Sequence, residues 1–435
     1  QNRRRSGEKG QKNICMKSSI VVGLQWGDEG KGKIIDAIAG SYDYVVRWNG
    51  GNNAGHTVVV DGHKYPLSLV PSGALQKKKL LIAQGVVINP RVLLAEIAML
   101  ESAGYRVDLT IDPRCHIVMP YHTAMDSASE VWKGKDATGS LRLGIGYCYE
   151  DRNNRAGIRL EFLMRPALLK EKLEKILPLK RAIIEKGYGM KTDFTIASIL
   201  TEYVGYGKKL KKYMGDVSSL VALKLDTHAF LFEQAHGTML DPFYGTYPFT
   251  VAPPTIASAV FPSVGIAARA LPVLGVMKAY TTRVGNGPFP TELLDDMGAT
   301  LRQKGNEFGT VSKRPRRCGW LDIPMLRYAA RINGVTSLAV TKLDVLTGIL
   351  KLKICTGYRY RGKMLREFPA EISQLPDCKP VLETFAGWAE DMSDTKRRKD
   401  LPRQARAYLS YIEKHLARPI QYISNGAERQ ALIKV

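Results

Sequence analysis

Residues 19–38 read Ser19-Ile-Val-Val-Gly23, Leu24-Gln-Trp26, Gly27-Asp-Glu-Gly-Lys-Gly-Lys33 and Ile34-Ile-Asp-Ala-Ile38. The first run is short, apolar and β-branched, which is typical of a buried strand, and the last has the apolar spacing of a helix. A strand, a glycine-rich loop and a helix in this order place backbone N–H groups around a phosphate. The stretch therefore predicts an α/β fold that carries a phosphate loop.

The rest of the chain continues the alternation of strands and helices. Further strands are predicted at Tyr44–Arg47, Thr57–Val60, Leu80–Ala83, Phe230–Phe232 and Ser337–Val340. Helical spacing appears at Val92–Ala103 and Arg403–Ala417, and residues 160–235 read as a mostly helical insertion. We expect one α/β domain over residues 19–435 with a large, mostly parallel central sheet, preceded by a flexible basic tail over residues 1–18.

Composition excludes several classes of protein. Of 435 residues, 45% are hydrophobic and 24% are charged, so the chain can bury a sizeable core and is neither disordered nor fibrous. No apolar run is long enough to span a membrane. The six cysteines form no CxxC pair, which disfavours a zinc or dithiol site and favours a reducing compartment; we expect the cytoplasm.

The charge balance is strongly basic, with 64 Lys and Arg residues against 41 acidic ones, a net charge of +23. This indicates either an anionic partner, such as a nucleotide, a nucleic acid or an acidic lipid, or simply a solvated surface. The basic runs lack interleaved aromatic residues, so nucleic acid is disfavoured as a partner.

The glycine-rich loop departs from the usual phosphate loop at one position. Its G-x-x-x-x-G-K spacing is followed by Ile34, where a hydroxyl normally helps to hold Mg²⁺. Asp28, inside the loop, is the nearest hard oxygen that can replace it. Because a carboxylate repels phosphate, Asp28 is a candidate for a metal-binding or catalytic role.

Three further motifs carry candidate chemistry. His56 ends a run of glycines and amides, Gly50–Gly55, and an imidazole beside a phosphate loop can stabilise charge in a transition state. The arginines of Lys313–Arg317 suit carboxylate and phosphate oxygens. In Thr341-Lys-Leu-Asp344, the Lys342 stem can lie along a purine while Asp344 accepts from guanine N1–H and N2–H. This last motif favours GTP over ATP.

Together these motifs resemble the adenylosuccinate synthetase family, over about residues 20–435. The resemblance rests on Gln25-Trp-Gly-Asp-Glu-Gly-Lys-Gly-Lys33, Gly50-Gly-Asn-Asn-Ala-Gly-His-Thr57, Arg283-Val-Gly-Asn-Gly-Pro-Phe-Pro-Thr-Glu292, Gly305-Asn-Glu-Phe-Gly309, Arg316-Arg-Cys-Gly-Trp-Leu-Asp322 and Thr341-Lys-Leu-Asp344. It implies a Mg²⁺-dependent homodimer that uses GTP to join IMP and L-aspartate through a 6-phosphoryl-IMP intermediate, releasing GDP and phosphate.

The resemblance also implies a role for each matching residue. Asp28 would take the N1 proton of IMP, His56 would be the acid that stabilises the transferring phosphoryl group, and Asp28 with Gly55 would hold Mg²⁺. GTP would contact Gly27, Gly30, Lys31, Gly32, Lys33, Gly55, Thr57, Arg316, Lys342, Leu343, Asp344, Ser424, Asn425 and Gly426. IMP would contact Asp28, Glu29, Gly30, Lys31, Asn53, Ala54, Gly55, His56, Leu141, His236, Val251, Arg314 and, across the dimer interface, Arg155. L-aspartate would contact Thr310, Val311, Ser312, Lys313, Arg314 and Arg316.

Several of these positions depart from the family pattern. Leu141 and Val251 stand where the family has phosphate-binding threonines, and His236 stands where it has an amide that touches the purine. The aspartate loop reads Val311-Ser-Lys-Arg314 rather than Thr-Thr-(Gly/Lys)-Arg. Each lost hydroxyl would leave part of a phosphate unpaired, at a cost of roughly 1–3 kcal/mol.

Three functions remain open from the sequence. The first is an adenylosuccinate synthetase with an altered IMP pocket. The second is a paralogue with the same chemistry on another 6-oxopurine nucleotide, such as a guanine nucleotide, as in 2-aminoadenylosuccinate synthetases. The third is a non-catalytic relative that binds GTP or nucleic acid; Asp28 and His56 count against it, because binding alone requires neither.

Overall fold

The computed structural model describes residues 18–309 and 314–435. The strands are β1 Ser19–Gly23, β2 Tyr44–Arg47, β3 His56–Val60, β4 His63–Leu67, β5 Lys79–Ile82, β6 Val87–Ile88, β7 Leu109–Ile111, β8 His116–Ile117, β9 Phe230–Glu233, β10 Val273–Lys278, β11 Thr281–Arg283, β12 Arg317–Gly319, β13 Leu321–Asp322, β14 Ser337–Thr341, β15 Lys351–Tyr360, β16 Lys363–Leu365, β17 Lys379–Ala386, β18 Ile420–Ser424 and β19 Leu432–Lys434.

The α-helices are α1 Lys31–Ala39, α2 Pro90–Ser102, α3 Pro120–Lys133, α4 Ile145–Asn153, α5 Pro166–Ala182, α6 Ile196–Leu210, α7 Val217–Lys224, α8 Val260–Val264, α9 Asp296–Lys304, α10 Ile323–Asn333 and α11 Arg403–Leu416. In the described ranges, no helix combines the length and the apolar character that a membrane crossing requires.

A nine-stranded sheet forms the centre of the protein, in the order β19-β18-β14-β10-β1-β9-β2-β5-β7. Every pairing in it is parallel except that of β19 with β18. Its strands are almost wholly buried, and hydrophobic clusters cover both faces. This confirms the α/β fold with a large, mostly parallel sheet.

The predicted elements agree with the structure to within a few residues. The helix predicted at Val92–Ala103 is α2, and the helix predicted at Arg403–Ala417 is α11. The insertion contributes helices α5–α7, but β9, at its end, returns to the central sheet between β1 and β2.

Three features differ from the expected layout. The strand predicted at Thr57–Val60 is β3, which pairs with β4 in a hairpin outside the large sheet. Strand β15 pairs in antiparallel fashion with β16 and β17, in a separate sheet that the alternation did not predict. Ser18, predicted to belong to the tail, is buried, and its hydroxyl accepts the backbone N–H of Phe230 at 2.9 Å.

Candidate active site

Most of the predicted site residues lie just after the carboxyl ends of strands in the central sheet. The phosphate loop follows β1, His236 follows β9, and Lys342–Asp344 follows β14, while Ser424 ends β18. Because these strands are parallel, their carboxyl ends meet at one edge of the sheet, the usual ligand site in open α/β sheets. Residues more than 390 positions apart in the chain are brought together there.

Glu29 shapes the phosphate loop from within. Its buried carboxylate accepts the backbone N–H of Gly27 at 2.9 Å and of Gln25 at 3.1 Å, and it forms an ion pair with Lys31 at 2.6 Å. Gly23 makes room for it, since a Cβ there would lie 2.3 Å from the Glu29 Oε2. Glu29 therefore holds the loop in shape.

Asp28 lies in the loop beside a buried network of charges. Its backbone is left-handed, with φ of 60°, and its Oδ2 is 2.6 Å from Arg316 Nε. Arg316 Nη1 in turn donates to Glu307 Oε2 at 2.7 Å, and Lys278 contacts both oxygens of Glu307 at 2.8 Å. Burial alone would raise the pKa of Glu307, but Lys278, Lys342 and Arg316 outweigh it and lower that pKa to about 2. Glu307 thus stays ionised and holds the cations around Asp28.

His56 lies against the start of α1. A Cβ on Gly32 would fall 2.8 Å from the His56 Cδ2, so only glycine lets the imidazole approach this closely. His56 Nε2 is 2.9 Å from Ser72 Oγ, and Ser72 donates to Glu233 Oε1 at 2.8 Å. The hydroxyl hydrogen of Ser72 is thus engaged, which assigns the Nε2–H tautomer to His56.

The imidazole of His56 is neutral at pH 7. Burial lowers its pKa to about 4, and the cations of Arg47 and Lys31 act in the same direction against the carboxylate of Glu233. A neutral imidazole still donates one hydrogen bond, but it does not carry the positive charge of a protonated acid.

The predicted guanine-reading segment presents an unpaired carboxylate oxygen. Among the described residues, Asp344 Oδ1 is buried without a hydrogen-bond partner, and burial raises the pKa of that carboxyl. The Lys342 backbone is left-handed, with φ of 60°, and its ammonium donates to the carbonyl of Gly305. A buried acceptor without a partner costs free energy, and a ligand that donates N–H groups to Asp344 would remove this cost.

Lys33, the lysine of the G-x-x-x-x-G-K spacing, contacts the C-terminal segment of the chain. Its ammonium donates to Ser424 Oγ at 2.6 Å and to the carbonyls of Gly426 at 2.5 Å and Ala431 at 2.8 Å. Leu343 N–H donates to the carbonyl of Ser424 at 3.3 Å, so the two predicted guanine segments also touch each other.

Lys31 and His236 form one corner of the site. The Lys31 ammonium donates to the backbone carbonyl of His236, whose backbone is left-handed, with φ of 69°. Burial, reinforced by Arg47 and Lys31, lowers the pKa of His236 to about 3, so its ring is neutral. In the part of the chain that the structure describes, the buried His236 Nε2 and Asn53 Oδ1 have no hydrogen-bond partner.

Leu141 and Val251 stand in two loops that both contact the segment from Arg283 to Asn286. Asn286 Nδ2 donates to the carbonyl of Ala137 at 2.9 Å, and Arg283 contacts the carbonyl of Phe249 at 3.4 Å. The end of β11 and the turn after it therefore contact the chain four positions before Leu141 and two positions before Val251. Arg155 follows α4 with φ of 64°, and the predicted aspartate-binding residues 310–313 lie outside the described residues.

Comparison with known proteins assigns the chain to a family. The family model described as adenylosuccinate synthetase matches residues 20–433. The chain belongs to this family. It is 46% identical to the adenylosuccinate synthetases of Thermodesulfovibrio yellowstonii and Clostridium acetobutylicum, over 96% and 97% of this chain and 99% of each relative. The protein is therefore an enzyme of a GTP-dependent ligase family, whose reaction joins IMP and L-aspartate.

Solved structures agree with this assignment. The fully ligated adenylosuccinate synthetase of Plasmodium falciparum superposes with a TM-score of 0.91 at 38% identity, covering 96% of this chain and all of the other. The succinoaminodeoxyadenylate synthetase of cyanophage S-2L, solved with dGMP and dATP, gives a TM-score of 0.62 at 17% identity, with 96% and 95% of the two chains covered. The second likeness is one of fold alone.

Sequence reasoning missed the residues that orient the predicted ones. Glu307 lies in the quoted Gly305–Gly309 motif but received no role, although a lone carboxylate between two basic segments was a signal. Ser72 and Glu233, which orient His56, carried no local signal, because they are 16 and 177 positions away in the chain.

Proposed function

We propose that this member of the adenylosuccinate synthetase family uses GTP to join IMP and L-aspartate, with Asp28 as the base. The observation that carries this proposal is the carboxylate of Asp28 inside a phosphate loop, paired with Arg316 at 2.6 Å. A loop that only binds phosphate gains nothing from a negative charge, whereas a base beside the γ-phosphate has a reaction to perform.

The proposed reaction has two steps. Asp28 takes the proton from N1 of IMP, and the electron density moved to O6 attacks the γ-phosphorus of GTP. The bond from that phosphorus to the β–γ bridging oxygen breaks, and GDP leaves. The amine of L-aspartate then attacks C6 of 6-phosphoryl-IMP, inorganic phosphate departs with O6, and the amine loses a proton. Arg316, whose Nε lies 2.6 Å from Asp28 Oδ2, would hold anionic oxygens of GTP and of L-aspartate.

We propose that His56 acts as a neutral hydrogen-bond donor. Its pKa of about 4 makes an imidazolium unavailable at neutral pH, so His56 would donate a hydrogen bond to the transferring phosphoryl group instead of acting as an acid. Ser72 accepts its Nε2–H at 2.9 Å, and an oxygen of the transferring phosphoryl group would compete for the same hydrogen. Because Glu233 holds Ser72, the ring needs little reorientation.

The residues present fit magnesium only together with a nucleotide. Mg²⁺ prefers oxygen ligands and is commonly held by one or two carboxylates together with substrate phosphates. Within residues 18–309 and 314–435, no three His, Cys, Asp or Glu side chains converge on one point. Asp28 and the carbonyl of Gly55 would therefore hold the ion with the phosphates of GTP. When bound, the ion supplies positive charge against the phosphoryl oxygens.

We further propose a cytoplasmic homodimer in which Arg155 reaches the IMP phosphate of the other subunit. The five described cysteines are free and buried, which suits a reducing compartment. Arg155 directly follows α4, and by its match to the family's motif it would contact the IMP bound in the other subunit.

IMP is favoured over a guanine nucleotide as the substrate. The chain is 46% identical to adenylosuccinate synthetases but only 17% identical to the phage enzyme that was solved with dGMP. Leu141, His236 and Val251 depart from the family pattern at positions that would contact IMP. We expect these departures to weaken the binding of IMP without changing the reaction.

The test is phosphate release from GTP in the presence of L-aspartate and a panel of IMP, GMP, dGMP and AMP. We expect release and adenylosuccinate formation with IMP, dependent on aspartate and abolished in Asp28→Asn. Turnover with GMP or dGMP but not with IMP would support the guanine-nucleotide paralogue. No turnover with any nucleotide would support a non-catalytic relative.

A further inference from the structure

The C-terminal turn, residues 425–431, joins β18 to β19 and lies against the start of α1. Its contacts with α1 come from two helix positions, Lys33 and Asp36, which are three residues apart and so share a face. Lys33 donates to Ser424, Gly426 and Ala431, as described above. These contacts engage an ammonium group that the G-x-x-x-x-G-K spacing would direct to phosphate.

A second anchor joins α1 to the same turn. Arg429 donates to both carboxylate oxygens of Asp36, from Nε at 2.6 Å and from Nη2 at 2.8 Å. This bidentate geometry fixes orientation as well as distance. The C-terminal turn is therefore held to the helix of the phosphate loop by two charged contacts.

The other side of the turn is held as well. Asn425 Nδ2 donates to the carbonyls of Met392 and Thr395, at 2.5 and 3.1 Å. Glu428 Oε1 accepts the N–H of Gly62, at the tip of the β3–β4 hairpin that begins with His56, at 3.3 Å. The turn thus touches the phosphate-loop helix and the hairpin of His56, and Ser424 beside it touches Leu343.

We propose that Lys33 is a positioning residue of the guanine pocket rather than a phosphate ligand. Its ammonium holds Ser424 and the C-terminal turn on α1, so that the segment closing the pocket keeps a constant distance from the phosphate loop. This inference rests on the proposed use of GTP. It means that nucleotide-base selection depends on a residue of the phosphate loop itself.

The charge around Lys33 supports this assignment. Burial lowers the pKa of Lys33 to about 8, while the carboxylates of Asp344 and Glu428 raise it and Lys342 lowers it. Lys33 is thus protonated at pH 7 but loses its charge within reach of ordinary assays. Above pH 8 the anchor weakens, and base selection should weaken with it.

The test compares kcat and KM for GTP and for ATP in the wild type and in Lys33→Met. We expect the KM for GTP to rise about tenfold with kcat changed less than twofold, because one charged contact to the pocket is lost. The preference for GTP over ATP in kcat/KM should fall about tenfold. If kcat/KM instead fell by the same factor for GTP and for ATP, the preference would be unchanged. That result would overturn the proposal and make Lys33 a phosphate ligand.

Lys224→Met is the matched control. Lys224 is also a half-buried helix lysine, and its ammonium donates to the hydroxyl of Tyr44 at 3.0 Å. Tyr44 begins β2, so this contact lies at the amino ends of the strands, opposite the candidate site. Its removal should change thermal stability without changing the nucleotide preference. A loss of preference in this control equal to that in Lys33→Met would show a general effect of destabilisation and overturn the proposal.

Arg429→Met tests the same idea if Lys33→Met does not fold. Removing the Arg429–Asp36 contact should also lower the preference for GTP over ATP, and an unchanged preference in that variant would count against the inference.

The pH dependence gives a further test. In the wild type, the preference for GTP over ATP should fall between pH 7 and 8.5 more steeply than in Lys33→Met. Loss of the N1 proton of guanine affects both proteins equally, so the difference between them reports on Lys33. A wild type that shows no preference for GTP would instead refute the proposed function.

Discussion

Several candidate residues adopt a left-handed backbone that residues other than glycine rarely take. Their φ values lie between 60° and 69°, at Asp28, Arg155, His236 and Lys342. Such conformations cost of order 1–3 kcal/mol each and persist where the surroundings hold them, often at functional sites. In this protein, ion pairs and backbone contacts hold at least Asp28, His236 and Lys342 in place.

At the residue scale, the first prediction concerns the two catalytic candidates. Asp28→Ala and His56→Ala should each lower ligation at least about 100-fold, because a base and a hydrogen-bond donor to the phosphoryl group typically contribute that much each. Steady-state phosphate release measures the loss, and circular dichroism checks that both variants fold. Ligation near the wild-type rate in either variant would contradict the mechanism.

The second prediction concerns guanine recognition. Asp344→Asn replaces one carboxylate oxygen by an N–H donor, which faces the N–H donors of guanine rather than accepting from them. We expect the preference for GTP over ATP to flatten while the protein folds normally, because the buried Asp344 Oδ1 has no protein partner to lose among the described residues. Competition between the two nucleotides in phosphate release gives the ratio, and a preserved ratio would remove Asp344 from the pocket.

The third prediction concerns the pH dependence of stability. The pKa of His56 is lowered to about 4 in the folded protein, below the ordinary value of 6.5, so the unfolded chain binds this proton first. Stability therefore falls as the pH decreases from 6.5 towards 4. Urea unfolding at a series of pH values measures the free energy of unfolding. Between pH 6.5 and 4, this free energy should fall more steeply for the wild type than for His56→Gln. Parallel declines would mean that the imidazole is not buried in its neutral form.

At the scale of elements, the loops that carry Leu141 and Val251 have backbones held by their own contacts. Glu130 accepts the N–H groups of Gly139 and Ser140 at 3.0 Å, and the Val251 N–H donates to the carbonyl of Leu240 at 2.9 Å. A side chain exchanged in either loop should therefore alter the contacts it offers without displacing the loop.

The fourth prediction follows from that rigidity. Leu141→Thr combined with Val251→Thr adds two hydroxyl donors, and we expect the KM for IMP to fall roughly tenfold or more with little change in kcat, at about 1 kcal/mol or more for each new hydrogen bond. Inosine, which has no phosphate, should gain nothing and serves as the control. An unchanged KM for IMP would show that neither position faces the phosphate.

At the scale of the whole molecule, the fifth prediction tests the proposed dimer. Arg155→Leu and Asp28→Ala chains should each be nearly inactive alone, because one lacks the contact made across the interface and the other lacks the base. Mixed after dissociation, they should recover about a quarter of the wild-type activity per active site, since half of the dimers formed at random are mixed and each contains one intact site. Failure to recover any activity would place Arg155 in its own subunit's site.

The sequence by itself determined the parts that depend on local spacing. The strand, glycine loop and helix over residues 19–38, the carboxylate inside the loop and the Thr341–Asp344 segment all depend on residues adjacent in the chain. The strands and helices predicted from apolar periodicity lie within a few residues of the observed ones, but β10 and β18 of the central sheet were not among them. The antiparallel pairing of β15 with β16 and β17 did not follow, because periodicity does not specify which strands pair.

Only the tertiary structure decided what each candidate side chain touches. Lys33 reaches Ser424 across 391 positions, and His56 is oriented through Ser72 by Glu233, 177 positions further along. Contacts at such separations arise because parallel strands bring the ends of distant segments to one edge of the sheet, where packing selects the partners. The loop's lysine could therefore be recognised from its spacing, but its contacts with the C-terminal turn required the fold.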